Sequence, residues 1–175
     1  MTEFVPIFDP VEARRAAAAA RRLVDGPWHL SAEALARGGW EAVPVEKGRH
    51  LEEDGARALA RALTEAGHGH CYAVAAEPLG EHPSVYRAEA TAEGLLKFSE
   101  ECAGLNFVLL PPDASAAVLC TTEDYNLYAG PPAFLRRALG RDTEAARAAF
   151  REYASDEWWE GRLLEVARRY GDAQA

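Results

Sequence analysis

Two histidines, His68 and His70, stand two residues apart with Cys71 directly after, in the run His68-Gly69-His70-Cys71. On an extended segment such positions share a face, so both imidazoles can meet one metal ion. Zinc takes a third protein ligand, and His50, Glu52, Glu53 and His82 are candidates, though at no diagnostic spacing. A site of that kind would support metal-assisted hydrolysis. The plainer account makes both histidines solvated loop residues beside a helix C-terminus, where the dipole favours a partly positive ring.

The thiols offer a second chemistry. A cysteine nucleophile needs a neighbouring base and a lowered pKa. Cys71 has His70 beside it, but neighbours on a strand point to opposite faces and diverge. Cys102 falls on a buried helical stripe and Cys120 in an interior strand, so core packing explains all three. They are odd in number, far apart and without a CxxC pair, which excludes a disulfide framework or zinc knuckle.

Carboxylates are abundant. Glu52-Glu53-Asp54 opens a helix, Glu123-Asp124 fills a turn, and Glu100-Glu101 lies near a helix end within reach of Lys97. None has the spacing of a calcium loop. GxGxxG after a strand, the P-loop, GxSxG and HExxH are all missing from the sequence, so no motif-bearing nucleotide or hydrolase chemistry is indicated. No cofactor is called for.

Aromatics supply the remaining clue. Tyr125 and Tyr128 fall on opposite faces of one strand, and Trp158 and Trp159 diverge by about a quarter turn of helix. One of each pair need not be core. Asp124, Tyr125, Tyr128 and Trp158 are therefore the candidate binding residues, an acid and aromatics of the kind found where proteins meet. The competing account packs Trp158 on a neighbouring helix.

These residues must be positioned by elements that the pattern of apolar residues predicts. Asp9, Pro10 and Glu12 signal a helix over 9–25 with a small side of Ala13, Ala16, Ala17 and Ala20, and a stripe of Arg14, Arg15, Arg21 and Arg22 elsewhere on it. That stripe reads as a solvated face pairing with the chain's own acids. Ser31 caps a short helix ended by Gly38-Gly39. Residues 40–46 form a strand that Pro44 assigns to an edge or bulge. A helix over 51–66, stopped by Gly67, leads to a strand over 70–77. Strand, helix and strand imply a parallel crossover unit, with the strands adjacent or one apart. Residues 78–90 read as loop before a helix capped by Thr91. Three strands over 106–110, 116–121 and 125–129 then make an antiparallel meander. Helices over 131–139, 142–154 and 156–170 close the chain, the last capped by Ser155 or Asp156. The expected fold is thus α/β: one domain with a mixed sheet of about five strands, flanked by helices, and a helical C-terminal third.

Length and charge bound the rest. A chain of 175 residues buries roughly 70% of the surface it exposes unfolded, enough for a core without metal or disulfide. The net charge of −9 disfavours nucleic acid and anionic membranes. With no signal-like N-terminus and no apolar run of membrane length, a cytoplasmic location is expected. Apart from Lys47 and Lys97 every basic residue is arginine, alanine is abundant, and Asn, Gln, Met and Ile are scarce. Either a GC-rich genome or heat adaptation accounts for that bias.

The leading expectation is a non-enzymatic binding or regulatory protein, of which a toxin-neutralising protein is one form, with a basic protein partner. The alternatives are a small metal-dependent hydrolase using His68 and His70, and a structural subunit of a homo-oligomer joined through its alanine-lined first helix.

Overall fold

The computed structural model describes residues 4–47, 50–77, 80, 84–156 and 161–171. Its strands are β1 (Phe4–Pro6), β2 (Glu41–Glu46), β3 (His70–Ala75), β4 (Val85–Glu89), β5 (Phe107–Leu110), β6 (Ala117–Cys120) and β7 (Tyr125–Gly130). The helices are α1 (Pro10–Leu23), α2 (Ala32–Gly38), α3 (Glu53–Glu65), α4 (Ala92–Glu101), α5 (Pro132–Leu139), α6 (Thr143–Asp156) and α7 (Arg162–Tyr170).

The helix starts follow from their capping residues. Asp9 accepts a hydrogen bond from the Val11 amide, Ser31 from Ala34, Thr91 from Gly94 and Asp142 from Glu144. Glu12 does not close a capping box; its carboxylate instead takes the Tyr72 hydroxyl at 2.8 Å and Arg87 at 2.7 Å. At Gly94 only glycine fits, because a Cβ there would lie 2.7 Å from the Glu89 carbonyl oxygen. Ser155 belongs to α6 and donates to the Arg151 carbonyl, so it caps no following helix.

All the strands join in one sheet of order β1-β4-β3-β5-β6-β7-β2, and every neighbouring pair is antiparallel. This corrects the expected five-stranded mixed sheet with a parallel unit. Four antiparallel steps separate β2 from β3, so the two do run the same way. The helix between them, however, carries the chain past three intervening strands, and no parallel pairing forms. Two strands escaped the sequence reading altogether. β1 is only three residues long, and β4, inside the expected loop, carries Arg87 and Glu89 on a short run. The meander β5-β6-β7 is as expected, and Pro44 sits in edge strand β2, where its missing N–H leaves no ladder bond unmade.

Alternation along the strands builds a core on each face. One side buries Tyr72, Val74, Leu119, Tyr125 and Leu127 beneath α1, α2 and α7. The other buries Cys71, Ala73, Phe107, Val118 and Tyr128 beneath α3, α4 and α5. Helix α6 lies against edge strand β2 and gives Ala146 to one core but Phe150 and Ala154 to the other. The alanine side of α1, offered by the sequence as an oligomer contact, is buried inside the chain against the sheet. Among the described residues, no helix is long and apolar enough to cross a membrane.

Candidate binding cleft

Where the C-terminal end of β2 meets the start of α3, a cleft of about 830 Å³ opens on the α3 face of the sheet. Its floor follows from strand register. Val43 pairs with Tyr128 and Val45 with Asn126, so Asn126 and Tyr128 project from β7 on the same side as those valines. Val45, Glu46 and Lys47 form one wall; His50 through Gly55 form another, and Arg141 and Tyr153 complete the lining. Among the described residues, four lining carboxylates, Glu46, Glu52, Glu53 and Asp54, outnumber the two lining cations Lys47 and Arg141. Glu53 and Asp54 share Arg57, whereas Glu46 and Glu52 are exposed.

The inner wall is stitched tightly. Ser99 of α4 accepts from the Leu51 amide at 2.8 Å and donates to the Leu51 carbonyl at 3.0 Å. The His50 ring stacks on Phe98 with centroids 5.9 Å apart, and its Nε2 lies 3.0 Å from the Cys102 carbonyl oxygen. The Asn126 side-chain amide donates to the His50 carbonyl. Both residues are only 3% exposed, yet among the described residues His50 Nδ1 and Asn126 Oδ1 have no hydrogen-bond partner. Burial holds the His50 imidazole below its ordinary pKa, with Lys47 acting the same way and the Cys102 and Leu105 carbonyls opposing. Burial likewise lowers the Lys47 ammonium, against the pull of Asp124 and Glu123. Among the described residues the mouth of the cleft thus carries more anionic than cationic side chains.

The residues proposed from sequence are only partly brought together. Asp124 is exposed in the β6–β7 turn, where its carbonyl accepts from the Lys47 amide at 3.2 Å. Tyr125 is buried on the α1 face and donates its hydroxyl to the Trp28 carbonyl at 2.9 Å. Tyr128 is buried on the opposite face and lines the cleft. Neither tyrosine lies outside the core, because helices cover both faces of the sheet. Trp158 lies outside the described residues, as do Trp159 and His82.

His68 and His70 have different neighbours. His68 precedes β3, outside the alternation of the strand, and its Nε2 lies 3.5 Å from Asp113. His70 packs edge-on to Tyr72 at 5.5 Å, and burial followed by Arg87 pushes its pKa down. Among the described residues, no group of three or more His, Cys, Asp or Glu side chains is placed to hold a metal ion. The cysteines are free and buried; burial raises the Cys71 and Cys102 thiols to about 12 and pushes Cys120 up as well. Such thiols stay protonated and unreactive.

The sequence reading passed over Lys47, Asn126, Arg141 and Tyr153, and weighed His50 only as a third metal ligand. A signal existed: the chain has two asparagines, Asn106 and Asn126, and both are buried. Asn106 is satisfied, donating to Glu77 and accepting from the Thr122 amide, whereas Asn126 keeps an unpaired acceptor beside the cleft. Comparison with protein-family models, curated proteins and solved structures finds no match to this chain.

Proposed function

We propose that this chain is a non-enzymatic binding protein that receives a basic protein partner at the acidic mouth of the β2–α3 cleft. The observation that carries the reading is the grouping of Glu46, Glu52, Glu53 and Asp54 around one concavity, on a chain whose net charge is −9. Like-signed charge around a concave, low-dielectric site focuses the field and speeds encounter with an oppositely charged surface. Covering a basic active surface would neutralise the partner, so inhibition of a toxin is one role this mode of binding supports.

The test compares two variants of equal charge. Glu46→Gln/Glu52→Gln removes two exposed carboxylates at the cleft, and Glu93→Gln/Glu100→Gln removes two exposed ones on α4. As bait at low salt in lysate of its own cell, the unaltered chain is expected to retain a basic protein. The cleft variant is expected to retain about tenfold less, a change of roughly 1.4 kcal/mol, and the α4 variant nearly as much as the unaltered chain. Equal retention by both variants, or no retained protein, contradicts the reading.

A further inference from the structure

Helix α1 turns one side to the core and the other to solvent. Ala13, Ala16, Ala17, Ala20 and Leu23 are buried against the sheet, whereas Val11, Arg14, Arg15, Arg21 and Arg22 are exposed. At 3.6 residues per turn the exposed side chains fall within an arc of about 120° and run about 16 Å along the axis. The one acid of α1, Glu12, is turned aside to Tyr72 and Arg87. The expected pairing of this stripe with the chain's own carboxylates does not form. Among the described residues Arg14, Arg21 and Arg22 have no ion-pair partner and Arg15 meets the Tyr72 hydroxyl, while Arg37, Arg57, Arg87 and Arg137 each hold a carboxylate. Apolar residues bracket the arginines. Of the four large apolar side chains exposed among the described residues, Phe8 (87% exposed) lies just before α1, Val11 (65%) in its first turn and Trp28 in the loop after it. Single exposed apolar residues are ordinary, but a grouping of them marks an interaction surface.

We infer that the outward face of α1 docks a short acidic segment of another protein, whose carboxylates meet the arginines and whose apolar side chain covers Phe8 and Val11. Complementary charge identifies the occupant. On a chain of net charge −9 this face gathers four arginines with no carboxylate on the same arc, and a concentrated charge of one sign selects a partner of the other. A short segment fits better than nucleic acid or a bilayer. Charges are screened beyond about 8 Å at physiological salt, so a segment confined to the arc meets the arginines, whereas an extended polyanion also meets the acidic excess of the chain. Nor does α1 offer a bilayer a continuous apolar face, because its alanine side is buried in the protein. Helix α1 covers the opposite face of the sheet from the β2–α3 cleft, so this surface is separate from the acidic mouth and does not depend on it.

The experiment titrates a fluorescent peptide with the full chain at low salt and follows its anisotropy. The peptide has about twelve residues, enough to span the arc as a helix, all glutamate except for leucines at one end. Saturable binding is expected, and the same peptide with glutamine for glutamate is expected to bind about tenfold more weakly. Arg14→Gln/Arg21→Gln is expected to weaken the acidic peptide about tenfold and Phe8→Ser about threefold. Both variants change exposed side chains only, and an unchanged circular dichroism spectrum checks that they fold. Arg61→Gln/Arg136→Gln removes the same charge from exposed positions on α3 and α5 and is expected to bind like the unaltered chain. Absence of saturable binding, or equal weakening by the two arginine pairs, overturns the inference. So does binding of a thymidine oligonucleotide or a phosphatidylserine vesicle as tight as that of the peptide. A dimer of the unaltered chain that Arg14→Gln/Arg21→Gln dissolves overturns it too, because the occupant would then be a second copy.

Discussion

Replacing Arg147 with alanine is expected to destabilise the protein by about 3–5 kcal/mol, the usual effect of removing one partner from a buried ionic network. The side chain is 2% exposed and joins three elements. Its Nε donates to the Tyr170 carbonyl at 3.2 Å, and Nη2 donates to Glu41 at 2.9 Å and to the Ala42 carbonyl at 3.3 Å. Nη1 reaches Glu144 at 2.7 Å, but that carboxylate is 64% exposed and contributes little. The main loss is therefore the two carbonyls and Glu41, left unpaired where α6 and the end of α7 meet edge strand β2. Arg147→Lys restores the charge but not the fork, and is expected to recover less than half of the stability. Urea denaturation with an unchanged slope measures both. A loss under about 1 kcal/mol for the alanine variant would show that the network is not what fastens α6 to the sheet.

Phe98→Ala is expected to lower stability by a similar amount, about 3–5 kcal/mol, through lost burial and the cavity left behind. The ring is fully buried, edge-on to Phe107 at 5.8 Å and to Phe4 at 5.9 Å. It is also the surface on which His50 stacks, so the variant has a second consequence at the cleft. Without the ring, the imidazole loses the support that holds Nε2 on the Cys102 carbonyl, and retention of the basic partner is expected to fall more than in Phe98→Leu. Denaturation and the lysate retention assay on both variants separate the two effects. Unchanged partner retention by a folded Phe98→Ala protein would show that the cleft needs no help from α4.

Local signals in the sequence were strong where chemistry is local. Asp9, Ser31 and Thr91 cap helices as their positions predict, and the meander from Asn106 to Gly130 follows from short turns. Strand adjacency is a different matter, because it depends on how far a crossover travels. The helix between β2 and β3 announces that those strands run the same way, but nothing in its residues states that three strands lie between them. Strand β4 was hidden because Arg87, which reads as loop, is held on the sheet by Glu12, 75 residues away. The cleft was hidden for the same reason. Asn126 and His50 meet only through β7 and the segment entering α3, and the scarcity of Asn and Lys reads as a compositional bias, of a GC-rich genome or of heat adaptation. That same scarcity made Asn126 and Lys47 conspicuous, and both line the cleft.

Zero-length carbodiimide cross-linking of the protein to its partner, with the linked carboxylates mapped by mass spectrometry, asks most directly where docking occurs. Cross-links to partner lysines concentrated on Glu46, Glu52, Glu53 and Asp54 are the predicted result. Links spread equally over Glu93, Glu100 and Glu101 on the α4 side would contradict it.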